Sequence, residues 1–195
     1  MTPLKTLAAM ALTALLAGGA QAATSIRLET TSPNVALGSA FDVRIVADID
    51  AADQIIGFGF DLSAPASIGL LGFTAGPGFA DDPTYLAPLS DADGIRGASG
   101  GDLLMGPPVS GTNLLLGTLR LQGTAAGPAA ISLTADDLNF FYTEGLMPLA
   151  PGSTNFLPPV SPVSVVVVAV PEPATWLSLA VGLGGLACRR RRPKA

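Results

Sequence analysis

Carboxylates are the side chains of this 195-residue sequence with the chemistry and spacing to act. Asp48, Asp50 and Asp53 fall within six residues, and Asp91 and Asp93 lie just before Gly94. Acidic residues in such turns offer the hard oxygen ligands that calcium accepts. Neither run has the spaced ligands and closing Glu of an EF-hand loop. The metal expectation is therefore a weak calcium site at Asp48, Asp50 and Asp53, set against ordinary solvated turn residues; no other cofactor is expected. Asp81-Asp82 and Asp136-Asp137 are adjacent pairs. Neighbours on a strand point to opposite faces, so neither pair builds a two-carboxylate glycosidase site by itself. Carboxylates distant in sequence can still meet, which keeps polysaccharide hydrolysis as the least favoured reading. There is no histidine, which excludes Ser-His-Asp and Cys-His constellations and any histidine metal site. No glycine-rich phosphate loop with a following lysine occurs either. The chain is expected not to be an enzyme.

The elements that must position these residues read as β-strands. Phe41, Val43, Ile45 and Ala47 alternate with Asp42, Arg44, Val46 and Asp48, the period of a strand with one buried face. Ile56, Phe58, Phe60 and Leu62 repeat it, with Gly57 and Gly59 on the other face, where bare glycines mark a bulge or a close approach by another backbone. Further strands are expected at Ser25 to Thr30, Ile68 to Thr74, Ile95 to Ser99, Leu114 to Gln122, Ile131 to Ala135, Leu138 to Tyr142 and Val163 to Val168. The last is apolar enough to be covered on both faces. Turns are expected at Ser32-Pro33-Asn34, Leu37-Gly38-Ser39, Ala75 to Gly78, Ala92-Asp93-Gly94 and Ala126-Gly127-Pro128. Nine short strands and no convincing helix indicate an all-β sandwich or jelly roll. Within Phe140-Phe141-Tyr142 one ring faces away from the core, under a loop or toward a partner.

Both ends of the sequence read as delivery signals. Lys5, the apolar run Leu7 to Leu16 and Ala20-Gln21-Ala22 have the order of a signal peptide, with signal peptidase cutting so that the mature chain starts at Ala23. At the other end Val170-Pro171-Glu172-Pro173 precedes an uncharged apolar stretch, Ala174 to Cys188, and then Arg189, Arg190, Arg191 and Arg192. Fifteen residues rise about 22 Å as a helix, short of the roughly 30 Å hydrocarbon core, and arginine snorkelling lessens the mismatch. The arginines hold that end in the cytoplasm, which leaves everything before Pro171 on the far side of the inner membrane. Motif, stretch and basic run together resemble the PEP-CTERM sorting signal of Gram-negative bacteria. That resemblance implies recognition by an exosortase, a membrane-embedded transpeptidase cutting near Pro171, Glu172 and Pro173, and delivery to the surface or medium. The competing reading is a membrane anchor that stays attached. The resulting organisation is a signal peptide at 1–22, one domain at 23–169 and a sorting signal at 170–195.

That domain holds four arginines against fourteen carboxylates, a net charge of −10, masked in the whole-chain value of −5 by the basic termini. So acidic a surface repels phosphate backbones, and no nucleic-acid partner is expected. The only cysteine, Cys188, lies in the tail, so no disulfide staples the domain. Residues Ser32 to Leu62 and Leu116 to Leu133 resemble cohesin-type domains: a glycine turn, a Val/Ile strand, an acidic loop, a Gly-Phe-x-Phe strand and paired strands about a glycine loop. The resemblance implies a single jelly-roll sandwich and a dockerin-like protein or a carbohydrate as ligand. The favoured function is an exported, non-enzymatic surface or matrix protein, structural or adhesive in an extracellular polysaccharide or biofilm setting. A binding module proper is the alternative. Thr-x-Thr arrays that would bind ice are missing.

Overall fold

A computed structural model describes residues 23–81, 95–136, 144–149 and 153–169. Among the described residues there are twelve strands and no helix: β1 (Ser25–Glu29), β2 (Asn34–Ala36), β3 (Ala40–Ile49), β4 (Ile55–Ser63), β5 (Ile68–Ala75), β6 (Phe79–Ala80), β7 (Ile95–Ser99), β8 (Gly111–Gly123), β9 (Gly127–Thr134), β10 (Gly145–Pro148), β11 (Val160–Ser161) and β12 (Val163–Val168). Eight of the nine expected strands are present; Leu138 to Tyr142 lies outside the described residues, as does the Ala92 to Gly94 turn.

The strands form two sheets, ordered β11-β1-β3-β8-β5 and β2-β12-β9-β4-β7-β6, with β10 pairing β4 as well. Pairing is antiparallel except for β1 with β11 and β2 with β12. Inward rows fill the space between the sheets: Phe41, Val43 and Ile45 from β3, Leu119 and Leu121 from β8, Phe58 and Phe60 from β4, Ile131 from β9, Val165 and Val167 from β12. Phe58 sits at the centre, fully buried, its ring 5.2 Å from Phe79 edge-on and 5.7 Å from Phe60 in a stack. Such pairs add about 0.5–1.5 kcal/mol each to the burial term.

Three expectations are corrected. β12 is interior in its sheet, between β2 and β9, yet only Val165 and Val167 are buried, while Val166 and Val168 keep 42% and 43% of their surface. Ser164 already belongs to that outward row. The turn expected at Ala126 to Pro128 is displaced to Ala125-Ala126, because Gly127, at φ +142°, and Pro128 open β9. Asn34, expected in a turn, starts β2, where it faces Val166.

Gly57 behaves as its bare position on β4 suggests. A Cβ there would lie 2.6 Å from Leu103 Cδ1 and 2.9 Å from the Gly97 carbonyl oxygen. Leu103 packs with Ile56, Ala98 and Met147 into a second small apolar cluster on the outside of the seven-stranded sheet. The segment carrying Leu103 is tied down by Asp102, whose Oδ1 accepts from the amides of Leu104 and Met105, both at 2.9 Å.

Candidate functional site

The outward rows of β1, β3 and β8 make a polar face on the five-stranded sheet. Alternation puts Arg27 and Glu29 of β1, Asp42 and Arg44 of β3, and Thr118 and Arg120 of β8 on this side, opposite the core rows. Register then decides who meets whom: Glu29 lies across from Arg44, Arg44 from Thr118, and Asp42 from Arg120. The resulting ion pairs are Arg27 Nε to Glu29 at 2.9 Å, Arg27 Nη1 to Asp48 at 2.7 Å, Arg44 to Glu29 at 3.6 Å and Arg120 to Asp42 at 3.1 Å. Arg27 also donates to the Asn113 side chain, and the Asn113 amide donates to Asp48 Oδ1 at 2.7 Å. Asn113 can turn its amide this way because it adopts a left-handed backbone, φ 57°, which Asn tolerates better than most residues. Arg27 is held above the usual guanidinium range, first by its hydrogen bond to Glu29 and then by the charge of Asp48.

Three of the four arginines of residues 23–169 thus stand on one face of a domain with a net charge of −10. The fourth, Arg96, pairs with Asp81 at 2.8 Å on the other sheet. Exposed pairs are worth at most about 1 kcal/mol each, so stability is a weak reason for concentrating them. Glu29, Thr30, Thr31, Asp42, Arg44 and Thr118 line an open hollow of about 580 Å³ on this face. Guanidinium forks, carboxylates and hydroxyls held in register suit polar recognition rather than bond making.

The acidic turn divides its residues. Asp48 faces Arg27, whereas Asp50 and Asp53 gather about Thr24: the Thr24 hydroxyl donates to Asp53 Oδ2 at 2.8 Å and accepts from the Asp50 amide at 2.9 Å. Asp50 Oδ1 closes the turn by accepting from the Ala52 amide. Another set, Asp61, Asp136 and Glu144, has one carboxylate oxygen each within 4.8 Å of the others and could hold a cation. They converge where β9 leaves β4 after Thr134 and β10 takes its place from Gly145. Glu144 Oε2 bridges the break by accepting from the Asp136 amide at 2.7 Å. Sequence reading missed this set; its one signal is Asp61, an acid continuing the outward row of Gly57 and Gly59 on an otherwise apolar strand. Asp61 and Glu144 are 8% and 4% exposed, whereas Asp136 is open to solvent. Ala20, Ala22, Pro171, Glu172, Pro173 and Arg189 to Arg192 lie outside the described residues, with the ring triplet at 140–142 and Asp82, Asp91, Asp93 and Asp137.

Comparison with known proteins bears on both parts of the chain. Residues 169–192 match the PEP-CTERM protein-sorting motif. No curated protein matches the chain. Among solved structures, the seventh ScaB type I cohesin from Pseudobacteroides cellulosolvens superposes with a TM-score of 0.51 at 14% identity, over 77% of this chain and 95% of that one. A non-cellulosomal cohesin from Archaeoglobus fulgidus gives 0.45 at 15% identity, over 80% and 96%. The sixth cohesin of Acetivibrio cellulolyticus scaffoldin B, solved with a Cel5 dockerin, gives 0.49 at 14% identity, over 74% and 99%. Residues 169–192 thus carry a PEP-CTERM sorting motif, which implies export and membrane-anchored sorting, and the sandwich before it has a cohesin-like fold.

Proposed function

We propose that this protein is exported, processed by an exosortase at its tail, and displayed at the cell surface or in the extracellular matrix, where its sandwich acts as a non-catalytic binding module. The observation that carries the reading is the join between its parts: β12 ends at Val168 and the sorting motif begins at residue 169. A folded module attached directly to a sorting segment is cargo. On this reading signal peptidase cuts after Ala22, the arginines at 189–192 hold the tail in the cytoplasm, and the cut near Pro171, Glu172 and Pro173 frees the domain 23–169.

The binding surface is the arginine-bearing face of the five-stranded sheet. Its occupant is an extracellular polysaccharide, in a structural or adhesive role within a biofilm, or a dockerin-like protein. Paired side chains that keep donors and acceptors at the surface support both, and the burial of Asp61 and Glu144 speaks against hydrolysis. The weak structural calcium expected at Asp48, Asp50 and Asp53 belongs to the same proposal, carried by Asp50 and Asp53, because both oxygens of Asp48 are engaged by Arg27 and Asn113.

Immobilised mature domain tests the reading against the producer's secreted fraction. Wild type is expected to retain a discrete partner, protein or glycan. The triple variant Arg27→Ala, Arg44→Ala, Arg120→Ala should lose it while melting within a few degrees of wild type, since surface changes of this kind cost little. Equal retention by both proteins would remove the binding role from this face.

A further inference from the structure

The two ends of the sandwich differ in charge, and the tail leaves from one of them. That end is built from the turn Leu37-Gly38-Ser39, the turn Ala64 to Ser67, the Thr124 to Ala126 connection and the last residues of β12. Backbone hydrogen bonds tie them together: Leu37 donates to Val168, Gly38 to Gly123 and Thr124 to Ser67, each at 2.8 Å. From 36 to 40, 63 to 68, 123 to 127 and 166 to 169 there is not one charged residue, in a domain with fourteen carboxylates. Moving inward along β3 and β8, the first charges met are Asp42 and Arg120, which neutralise each other. Leu37, Val166 and Val168 are 40%, 42% and 43% exposed here. The opposite end carries Asp48, Asp50 and Asp53, the length of β3 away, roughly 30 Å for ten residues.

Four residues, and hence five Cα-to-Cα steps, separate Ala169 from the apolar stretch that starts at Ala174. Fully extended they span at most about 18 Å, and lipid headgroups alone take up roughly 5–7 Å of that. On the sorting reading, the last residues of β12 stay within about 18 Å of the membrane-inserted stretch while the tail is uncut. Carboxylates there would meet anionic headgroups well within a Debye length of about 8 Å, whereas those at the far end are screened.

Resting on the sorting reading above, we infer that the uncharged end is a membrane seat: Leu37, Val166, Val168 and the Ala125-Ala126 bend contact the lipid headgroup layer until the tail is cut. The seat fixes the acidic end and its Asp48 to Asp53 turn away from the bilayer. It also sets the depth at which the Pro171 to Pro173 segment is presented to a membrane-embedded enzyme.

The full chain, with Cys188→Ser and a single fluorophore at Leu37→Cys, Ala126→Cys or Asp53→Cys, is reconstituted into vesicles of phosphatidylethanolamine and phosphatidylglycerol containing a headgroup-region quencher lipid. Labels at positions 37 and 126 are expected to be quenched about twofold and the label at 53 to be unaffected, as for groups lying in or far from the interface. Two seat positions in exposed turns guard against one variant misfolding. Vesicle flotation separates the failures. A chain that floats with all three labels equally unquenched overturns the seat and leaves the sorting reading standing, and a chain that does not float overturns both. Protection of positions 37 and 126 only in membranes containing an exosortase would assign this face to the enzyme and overturn lipid contact.

Discussion

The two outer faces of the sandwich solve the same problem in opposite ways. Around β4 and β7 of the seven-stranded sheet the chain covers itself: Gly57 leaves a slot on β4 that Leu103 and Met147 enter, and Ile56 and Ala98 complete a small second core. On the five-stranded sheet the equivalent positions carry Arg27, Glu29, Asp42, Arg44 and Arg120, paired across strands and open to solvent. Glycine in an outward row marks a face closed by the molecule's own chain. On the proposed reading, the charged outward rows of the five-stranded sheet are the face left for a partner. The partner should therefore be sought on the second.

The largest effect expected from attacking this contrast is Gly57→Val. The Gly97 carbonyl is backbone and cannot move aside, so the substitution should cost about 3 kcal/mol, at the upper end of overpacking losses. Arg44→Val, the same side chain on the other face, should stay within about 0.5 kcal/mol. Urea unfolding of the mature domain measures both, and equal losses would erase the distinction between the faces. Leu103→Ala should cost about 2–3 kcal/mol as a large-to-small change in the second core. It should also relieve part of the Gly57→Val penalty, a coupling visible in a double-mutant cycle because the two sites touch.

Arg27→Ala is expected to cost about 1 kcal/mol or less, diminishing with added salt. Its folded-state pKa is raised, so the stabilisation is fully present below the unfolded guanidinium pKa and is lost only as pH climbs through the still higher folded value. Between about pH 6 and 9 the difference between wild type and Arg27→Ala should be flat, and a slope there would mean that another titrating group carries the contribution. The smallest effect is that of calcium. Millimolar calcium should raise Tm by about a degree or two through preferential binding to the folded state, and Asp50→Asn with Asp53→Asn should abolish the rise. A rise that survives those changes but disappears in Glu144→Gln would move the ion to the Asp61, Asp136 and Glu144 set.

The parts of the fold that were legible in sequence are those whose strands carry their own pattern. β3 and β4 announce themselves by alternation over Phe41 to Asp48 and Ile56 to Leu62, although Ile56 packs with Leu103 rather than with Phe58 and Phe60, and Ile95 to Ser99 and Val163 to Val168 match β7 and β12 to the residue. The strands that escaped, β2, β6, β10 and β11, have two to four residues, too few for a period to register. They exist because a partner holds them: β11 lies parallel to β1, β2 parallel to β12, and β10 continues alongside β4 where β9 stops. The site divides in the same way. Gly57 could be read as a place of close approach because the missing side chain is itself the signal. The acidic turn could be seen as well, but not that Arg27 would take Asp48 while Thr24 took Asp50 and Asp53, since those partners come from β1 and the residue before it. Nor does any local pattern bring together Asp61, Asp136 and Glu144; a change of strand partner along β4 does that.

The most direct test of the account is the mass of the mature protein. Intact-mass measurement of the protein recovered from cells with and without a working exosortase reads its C-terminus. Everything beyond the Pro171-Glu172-Pro173 region should be missing only when the enzyme is active, with the domain found outside the cell. Retention of Arg189 to Ala195 in both strains would contradict it and make this a permanently anchored membrane domain.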